Sequence, residues 1–314
     1  MTIAFIFPGQ GSQAVGMGKE LAATFAEARA VFDEVDEALD QNLSKLMWEG
    51  PDADLTLTAN AQPALMAVSL AALRVLEAKG LKLPDTVSYV AGHSLGEYSA
   101  LAAAGSLDVP TAAHLLRIRG NAMQHAVPVG QGAMAALLGL EFDVAVEVAS
   151  EAAQGEVCQA ANDNAPGQVV VSGHSAAVER AVEIAKARGA KRAMMLTVSA
   201  PFHCSLMAPA ADAMAEALAN ADVRAPQVPV IANVLAQPVT DPTEIRNRLV
   251  EQVTGTVRWR ESMTWLIENG VGTFAEIGTG KVLSGMMKRI DRSVSAMAVN
   301  GPADIDALFE AVRS

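Results

Sequence analysis

Gly92-His93-Ser94-Leu95-Gly96 lies between an apolar run of strand length, Thr86 to Ala91, and a helical stretch, Leu95 to Ala104, that Gly105 closes. A chain that passes from strand to helix in so few residues needs glycines, because neighbouring backbone must approach closely and the turn is sharp. A G-x-S-x-G pattern in that context is a nucleophile elbow. It exposes Ser94 on the turn and sets the Leu95 amide at a helix N-terminus, where an oxyanion is stabilised. The competing explanation is chance, since the chain has 24 glycines. The strand before and the helix after count against it.

The rest of the chain supplies the setting an elbow needs. Thr2 to Phe7 reads as a short strand, and the glycine loop Pro8-Gly9-Gln10-Gly11 follows it. In Lys19 to Leu39, apolar residues at steps of three and four predict one helix. Gln62 to Lys79 predicts another, ended by Gly80. Asp108 and Pro110 open a third. Alternation of this kind predicts an α/β protein with a mostly parallel sheet. The middle differs. Strands over 132–140, 157–162, 168–173 and 193–198, with helices over 142–153 and 175–188, give the order β-α-β-β-α-β of a ferredoxin-like module. Further buried strands are expected at 228–232 and 273–277. The expected division is a large α/β catalytic domain from 1–127 and 199–314, with a small α+β domain inserted at 128–198.

Composition narrows the function classes. With 51% hydrophobic residues the chain is not disordered. A net charge of -12 speaks against nucleic-acid binding. Two cysteines, Cys158 and Cys204, make neither a disulfide framework nor a Cys-rich zinc site, and they fit a reducing compartment. The first apolar run has no basic residues before it and stops at Pro8, as a strand does and a signal peptide does not. No uninterrupted apolar run approaches the ~18 residues of a membrane span; the best, Leu65 to Leu73, is stopped by Arg74. A cytoplasmic protein is expected.

A nucleophilic serine needs a base, and five histidines are available. His93 adjoins Ser94, so its side chain is expected to point away. His114 and His125 sit in a helical stretch. His174 follows a strand of the small module. His203 follows Ser199-Ala200-Pro201-Phe202 at the exit from that module. Spacing alone leaves His203 open between a base and a loop histidine without function. No carboxylate among Asp108, Glu141, Asp143 and Asp163 has the strand-end context of a triad acid. The loop after the first strand contains G-x-G-x-x-A, but no acidic residue follows a second strand at the dinucleotide spacing. Gly278-Thr279-Gly280-Lys281 lacks the first glycine and the hydroxyl residue of a P-loop. Arg117 and Arg119 lie ~200° apart around one helix, so one can enter a cleft while the other is solvated, although a solvated surface charge is the commoner place for an arbitrary arginine.

Taken in order, Phe7-Pro8-Gly9-Gln10-Gly11-Ser12-Gln13, Ala61-Gln62-Pro63-Ala64, Gly92-His93-Ser94-Leu95-Gly96-Glu97, Arg119-Gly120 with Met123-Gln124, Asn162 with Pro166-Gly167-Gln168, Pro201-Phe202-His203, Gln252 and Glu276-Ile277-Gly278 span nearly the whole chain. In this set the sequence resembles the malonyl-CoA:acyl-carrier-protein transacylase family of fatty-acid synthesis and the acyltransferase domains of polyketide synthases. The resemblance implies a hydrolase-like large domain carrying a ferredoxin-like one. It implies Ser94 as nucleophile and His203 as base, with His203 oriented by a backbone carbonyl near Gln252, which accounts for the missing acid. It further implies Arg119 as holder of the substrate carboxylate and the amides of Leu95 and Gln10 as the oxyanion hole. Met123, Phe202 and Asn162 join Gln252 as substrate-binding positions, and Phe202 beside His203 goes with a preference for malonyl. Malonyl-CoA and acyl carrier protein are the implied partners. No metal or redox cofactor is needed, and a monomer is expected. Cys204 stands where many relatives have serine. The rival readings are a serine esterase or thioesterase, and a silent scaffold that only binds carrier protein.

Overall fold

The computed structural model describes residues 2–313. Six strands form one sheet in the order β10-β9-β1-β2-β7-β8: β1 is Thr2–Phe7, β2 Tyr89–Gly92, β7 Val230–Ala232, β8 Gln237–Val239, β9 Val271–Ile277 and β10 Ser295–Val299. All neighbours are parallel except β7 and β8. β1 and β2 are central, and their ends meet where Phe7 pairs with Gly92. From β1 the chain steps to β2 on one side and later to β9 on the other. Such a reversal leaves a crevice beyond the carboxyl ends of the strands, where open α/β sheets bind ligands. The glycine loop and the elbow both open there.

Helices cover both faces of this sheet. Helix Thr58–Ala78 is buried along most of its length, which is why it is apolar nearly all round. By length and hydropathy it would cross a membrane, but 83% of the qualifying window lies inside the protein. It is a core helix. A second sheet is antiparallel, in the order β4-β5-β3-β6, with β3 Gly132–Leu138, β4 Cys158–Ala165, β5 Gln168–His174 and β6 Arg192–Met195. Helices Phe142–Ala153 and Ser175–Ala187 pack on one of its faces with a core of their own. The other face contributes Met134 and Val170 to the main core.

Three expectations are corrected. The helix expected over 19–39 is two helices, Lys19–Thr24 and Ala26–Leu39, because Phe25 is extended (φ -124°) and its ring lies under the Lys79 ammonium. The strand expected from Thr86 starts at Tyr89, since Pro84 and Asp85 belong to a helical turn over Leu83–Thr86. The strand expected over 193–198 pairs with β3 only as far as Met195, after which Leu196 to Ser199 turn along a cavity. The short strands β8 and β10 have no counterpart in the sequence reading.

Candidate active site

The elbow is as tight as its glycines allow. A Cβ on Gly92 would lie 1.8 Å from the Gly96 carbonyl oxygen, and one on Gly96 would lie 2.3 Å from that of Phe7. Between them Ser94 takes a left-handed backbone, φ 55°, which costs a non-glycine residue about 1 kcal/mol or more. Asn233 holds it there. The Ser94 N–H donates to Asn233 Oδ1 at 2.8 Å, while Asn233 Nδ2 donates to the Gly92 carbonyl at 2.7 Å. The elbow helix, Gly96–Ala103, starts directly afterwards. Among the described residues, neither the Leu95 nor the Gln10 backbone N–H is engaged in a hydrogen bond. Two donors at the crevice are therefore free for an oxyanion.

His203 also has a left-handed backbone, φ 59°. Its Nε2 lies 2.7 Å from Ser94 Oγ, and its Nδ1 lies 2.9 Å from the Gln252 carbonyl oxygen. A carbonyl only accepts, so Nδ1 carries the proton and Nε2 is left to accept from the serine hydroxyl. Burial, reinforced by the positive charge of Arg119, pushes the imidazole down to about 3. The ring is thus neutral at physiological pH. The other histidines are engaged elsewhere. His114 and His125 bond carbonyls of their own helix, and His174 Nδ1 accepts from the Val157 N–H. His93 points away from Ser94, and its Nε2 lies 2.8 Å from Asn164 Oδ1.

Arg119, on helix Val109–His125, is 1% exposed. Its guanidinium donates to Gln62 Oε1 (2.8 Å), to Gln252 Oε1 (2.8 Å) and to Ser94 Oγ (3.1 Å), while Nε has no hydrogen-bond partner among the described residues. Burial lowers its pKa. Arg117 does turn the other way, but it is not simply solvated. It is half-buried and donates to Gln41 and Asn60.

These groups line a cavity of about 530 Å³. Gln10, Leu95, Met123, Asn162, Phe202 and His203 border it together with Ser94 and Arg119. Gln252 does not; it is fully buried behind them, bonded to Arg119 and His203. Three further participants had no role assigned from sequence. Gln62 fixes one arm of Arg119. Asn233 clamps the elbow. Glu97, one turn after Ser94, accepts at Oε2 from the Asn233 N–H (3.1 Å) and from Gln252 Nε2 (2.8 Å), and burial pushes its carboxyl up to about 7. Glu97 and Gln62 stood inside the motifs, so spacing to Ser94 and Arg119 was a usable signal. Asn233 follows a three-residue strand with no local mark.

A serine, a neutral imidazole and a buried guanidinium on one hydroxyl are equipped for acyl transfer to and from a substrate with a negative end. The comparisons agree with this chemistry. The acyl transferase domain family is matched over residues 4–305. The malonyl CoA-acyl carrier protein transacylase of Bacillus subtilis (strain 168) is 47% identical over 312 residues, 99% of this chain and 97% of that protein. The crystal structure of acyl-carrier-protein-S-malonyltransferase from Bartonella henselae has TM-score 0.98 and 55% identity, with 100% of both chains covered. A type II PKS acyl-carrier protein in complex with its malonyl-transacylase gives TM-score 0.96 and 44% identity, covering 99% of this chain and 100% of that one. Because sequence and fold agree from one end to the other, the chain belongs to the acyl transferase domain family.

Proposed function

We propose that the protein transfers the malonyl group from malonyl-CoA to the phosphopantetheine thiol of acyl carrier protein through a malonyl ester on Ser94, supplying fatty-acid or polyketide chain extension. The observation that carries this reading is that Ser94 Oγ meets both His203 Nε2 (2.7 Å) and Arg119 Nη2 (3.1 Å). A base and a cation share one hydroxyl. A malonyl group brings a thioester carbon for the first and a carboxylate for the second. The antiparallel sheet, with its βαββαβ order, is read as the inserted ferredoxin-like unit of 128–198; the remainder is the hydrolase-like body.

His203 Nε2 takes the Ser94 proton as Oγ attacks the thioester carbonyl. The tetrahedral oxyanion sits between the N–H groups of Leu95 and Gln10. The intermediate collapses, coenzyme A leaves, and the imidazolium protonates its sulfur. The carrier-protein thiol then gives its proton to His203 and attacks the ester, and the same steps run in reverse. Throughout, Arg119 pairs with the free carboxylate, a bidentate contact that a lysine could not reproduce. That pairing also offsets the positive field acting on His203, so the imidazole becomes a better base once malonyl is seated.

A serine hydrolase is disfavoured by the partner of His203, a carbonyl oxygen of Gln252 in place of the usual carboxylate. Intact mass after mixing separately with malonyl-, methylmalonyl- and acetyl-coenzyme A tests the proposal. A malonyl adduct on Ser94 that persists in buffer and is discharged by carrier-protein thiol is expected. An adduct on another residue, or one that hydrolyses within the assay, would overturn it.

A further inference from the structure

Arg119 is a fully buried cation, and among the described residues it forms no direct salt bridge. Its charge is answered at one remove. Gln252 Oε1 accepts from Arg119 Nη2 at 2.8 Å, and the same amide's Nε2 donates to Glu97 Oε2 at 2.8 Å. The amide dipole thus points from the guanidinium to a carboxyl that is 2% exposed. We infer that Glu97 is the resting counter-charge of Arg119 and takes up a proton when a substrate carboxylate replaces it, so that binding a malonyl group and neutralising Glu97 are one coupled event. The inference rests on the reading that Arg119 holds the malonyl carboxylate.

The geometry leaves room for the proton. Both N–H donors, from Asn233 and Gln252, go to Oε2, and Oε1 has no hydrogen-bond partner among the described residues. A proton from solvent on Oε1 neutralises the group without removing either bond. The electrostatics follow from the count of charges. In the free site one guanidinium faces one carboxyl poised near 7. A second anion at Arg119 makes two negative groups for one positive one in a dry site, and the weaker acid of the two protonates.

Among the described residues, no other titratable group near Glu97 is placed to take that proton. From the neighbouring elements, β1 and β7 bring no ionisable residue. β2 brings Tyr89, and Tyr98 on the elbow helix is held neutral by burial. On helix Thr58–Ala78, Arg74 and Glu77 pair with each other at the surface. Helix Pro242–Thr254 carries Arg248 paired with Glu244 and Glu251, and Arg246 on backbone carbonyls. His203 and His93 are both pushed down by burial. Glu97 is also more than a structural strut. It fixes the side-chain amide of Gln252, a residue whose backbone carbonyl orients His203, so it acts as a positioning residue whose charge depends on the ligand.

The test is proton uptake on binding to the Ser94→Ala protein, which cannot be acylated there. Calorimetric titration with malonyl-CoA and with acetyl-CoA, each in two buffers of different ionisation enthalpy, cancels protons that belong to the coenzyme. At about pH 7.5 malonyl-CoA should take up more protons per site than acetyl-CoA, a difference on the order of half a proton. Its affinity should weaken as pH rises above about 7, where uptake must be drawn from scarcer protons. Adding Glu97→Gln should abolish the difference and flatten the pH dependence. Equal uptake for the two thioesters, or a difference that survives Glu97→Gln, would overturn the inference. Should the double variant fail to fold, equal proton uptake with the two thioesters in Ser94→Ala still overturns the inference, and Glu97→Asp in the same background, which should shift the pH at which the difference appears, takes the place of Glu97→Gln. A Ser94→Ala, Arg119→Ala protein separates the two readings. If it still prefers malonyl-CoA, Arg119 does not hold the carboxylate. If it loses that preference while Ser94→Ala shows no extra proton, only the role of Glu97 falls.

Discussion

Arg119 touches Ser94 Oγ in the free site, so its removal acts on the choice of acyl group as well as on rate. On the proposed function a malonyl carboxylate pairs the guanidinium, whereas acetyl leaves it desolvated and without a carboxylate, which costs binding energy. Arg119→Ala should lower malonyl transfer at least ~10–100-fold, the worth of a charge-assisted pair of about 1.5–3 kcal/mol or more. Acetyl transfer should hold or rise, and rates with both thioesters check it. Arg117 bonds Gln41 and Asn60, so Arg117→Ala should reduce stability and leave acyl preference unchanged. His203→Ala should slow acylation by roughly 10²–10⁴-fold; a larger loss from His174→Ala would name the wrong base. Ser94, His203 and Arg119 do meet at one hydroxyl; the strand and helix around Ser94 marked the elbow locally, whereas spacing alone left His203 and Arg119 open and only the resemblance singled them out. Asn233 was not legible, since its whole contribution is a contact made 139 residues away in sequence. Nor could spacing show that Gln252 stands behind the cavity, because depth is set by how helix Pro242–Thr254 packs.

Helix Val282–Ile290 joins the cavity to the outer surface. Val282, Leu283 and Met286 border the cavity, while Lys288, Arg289 and nearby Lys281 and Arg292 are exposed. None of these four forms a salt bridge among the described residues. The other basic cluster is already engaged in part, because Arg188 pairs with Glu147 and Glu151, and Lys186 with Glu183. On the proposed function, a carrier protein with a negatively charged face that delivers its thiol to Ser94 is therefore expected to meet the end of helix Val282–Ile290. Lys288→Glu with Arg289→Glu should weaken transfer to carrier protein about 10-fold or more at low salt, with acylation by malonyl-CoA less affected. Equal effects on both half-reactions would place docking elsewhere. Elements of this kind were readable to differing degrees. Helix Phe142–Ala153 was read with its observed ends, since its periodicity and Gly155 beyond it are local signals. The break at Phe25 was hidden because the apolar spacing continues across it. The edge strands β8 and β10 are short and half-exposed, so they carry little alternation to detect.

Across the whole molecule, two buried groups bend stability with pH in opposite senses. Glu97 is raised from 4.5 to about 7. The folded state binds its proton more tightly than the unfolded one, so its contribution falls as pH rises from 4.5 to about 7. His203 is lowered from 6.5 to about 3, and its contribution, complete above 6.5, is lost as pH falls toward 3. Glu97→Gln removes only the first. Its stability relative to the parent, from urea midpoints, should be near zero at about pH 4.5 and greatest above pH 7, on the order of 3 kcal/mol. A gain that does not vary with pH would assign the effect to packing. The two-sheet plan was readable in outline, because strand and helix order is local; the sealing of β4 to the large body, where Asp163 N–H donates to the Val257 carbonyl and Arg260 pairs with the buried Asp163, was not. That plan also separates two kinds of change. Met134, Val170, Leu196 and Val198 bring one cavity wall from the small sheet and the segment leaving it, whereas Ser94, His203, Arg119 and Gln252 all lie outside that sheet. The opposite face of the small sheet packs a core of its own. Cargo size can thus drift through mutation in one sheet while the reacting atoms keep their places, so descendants of this chain can change what they carry without relearning how to carry it.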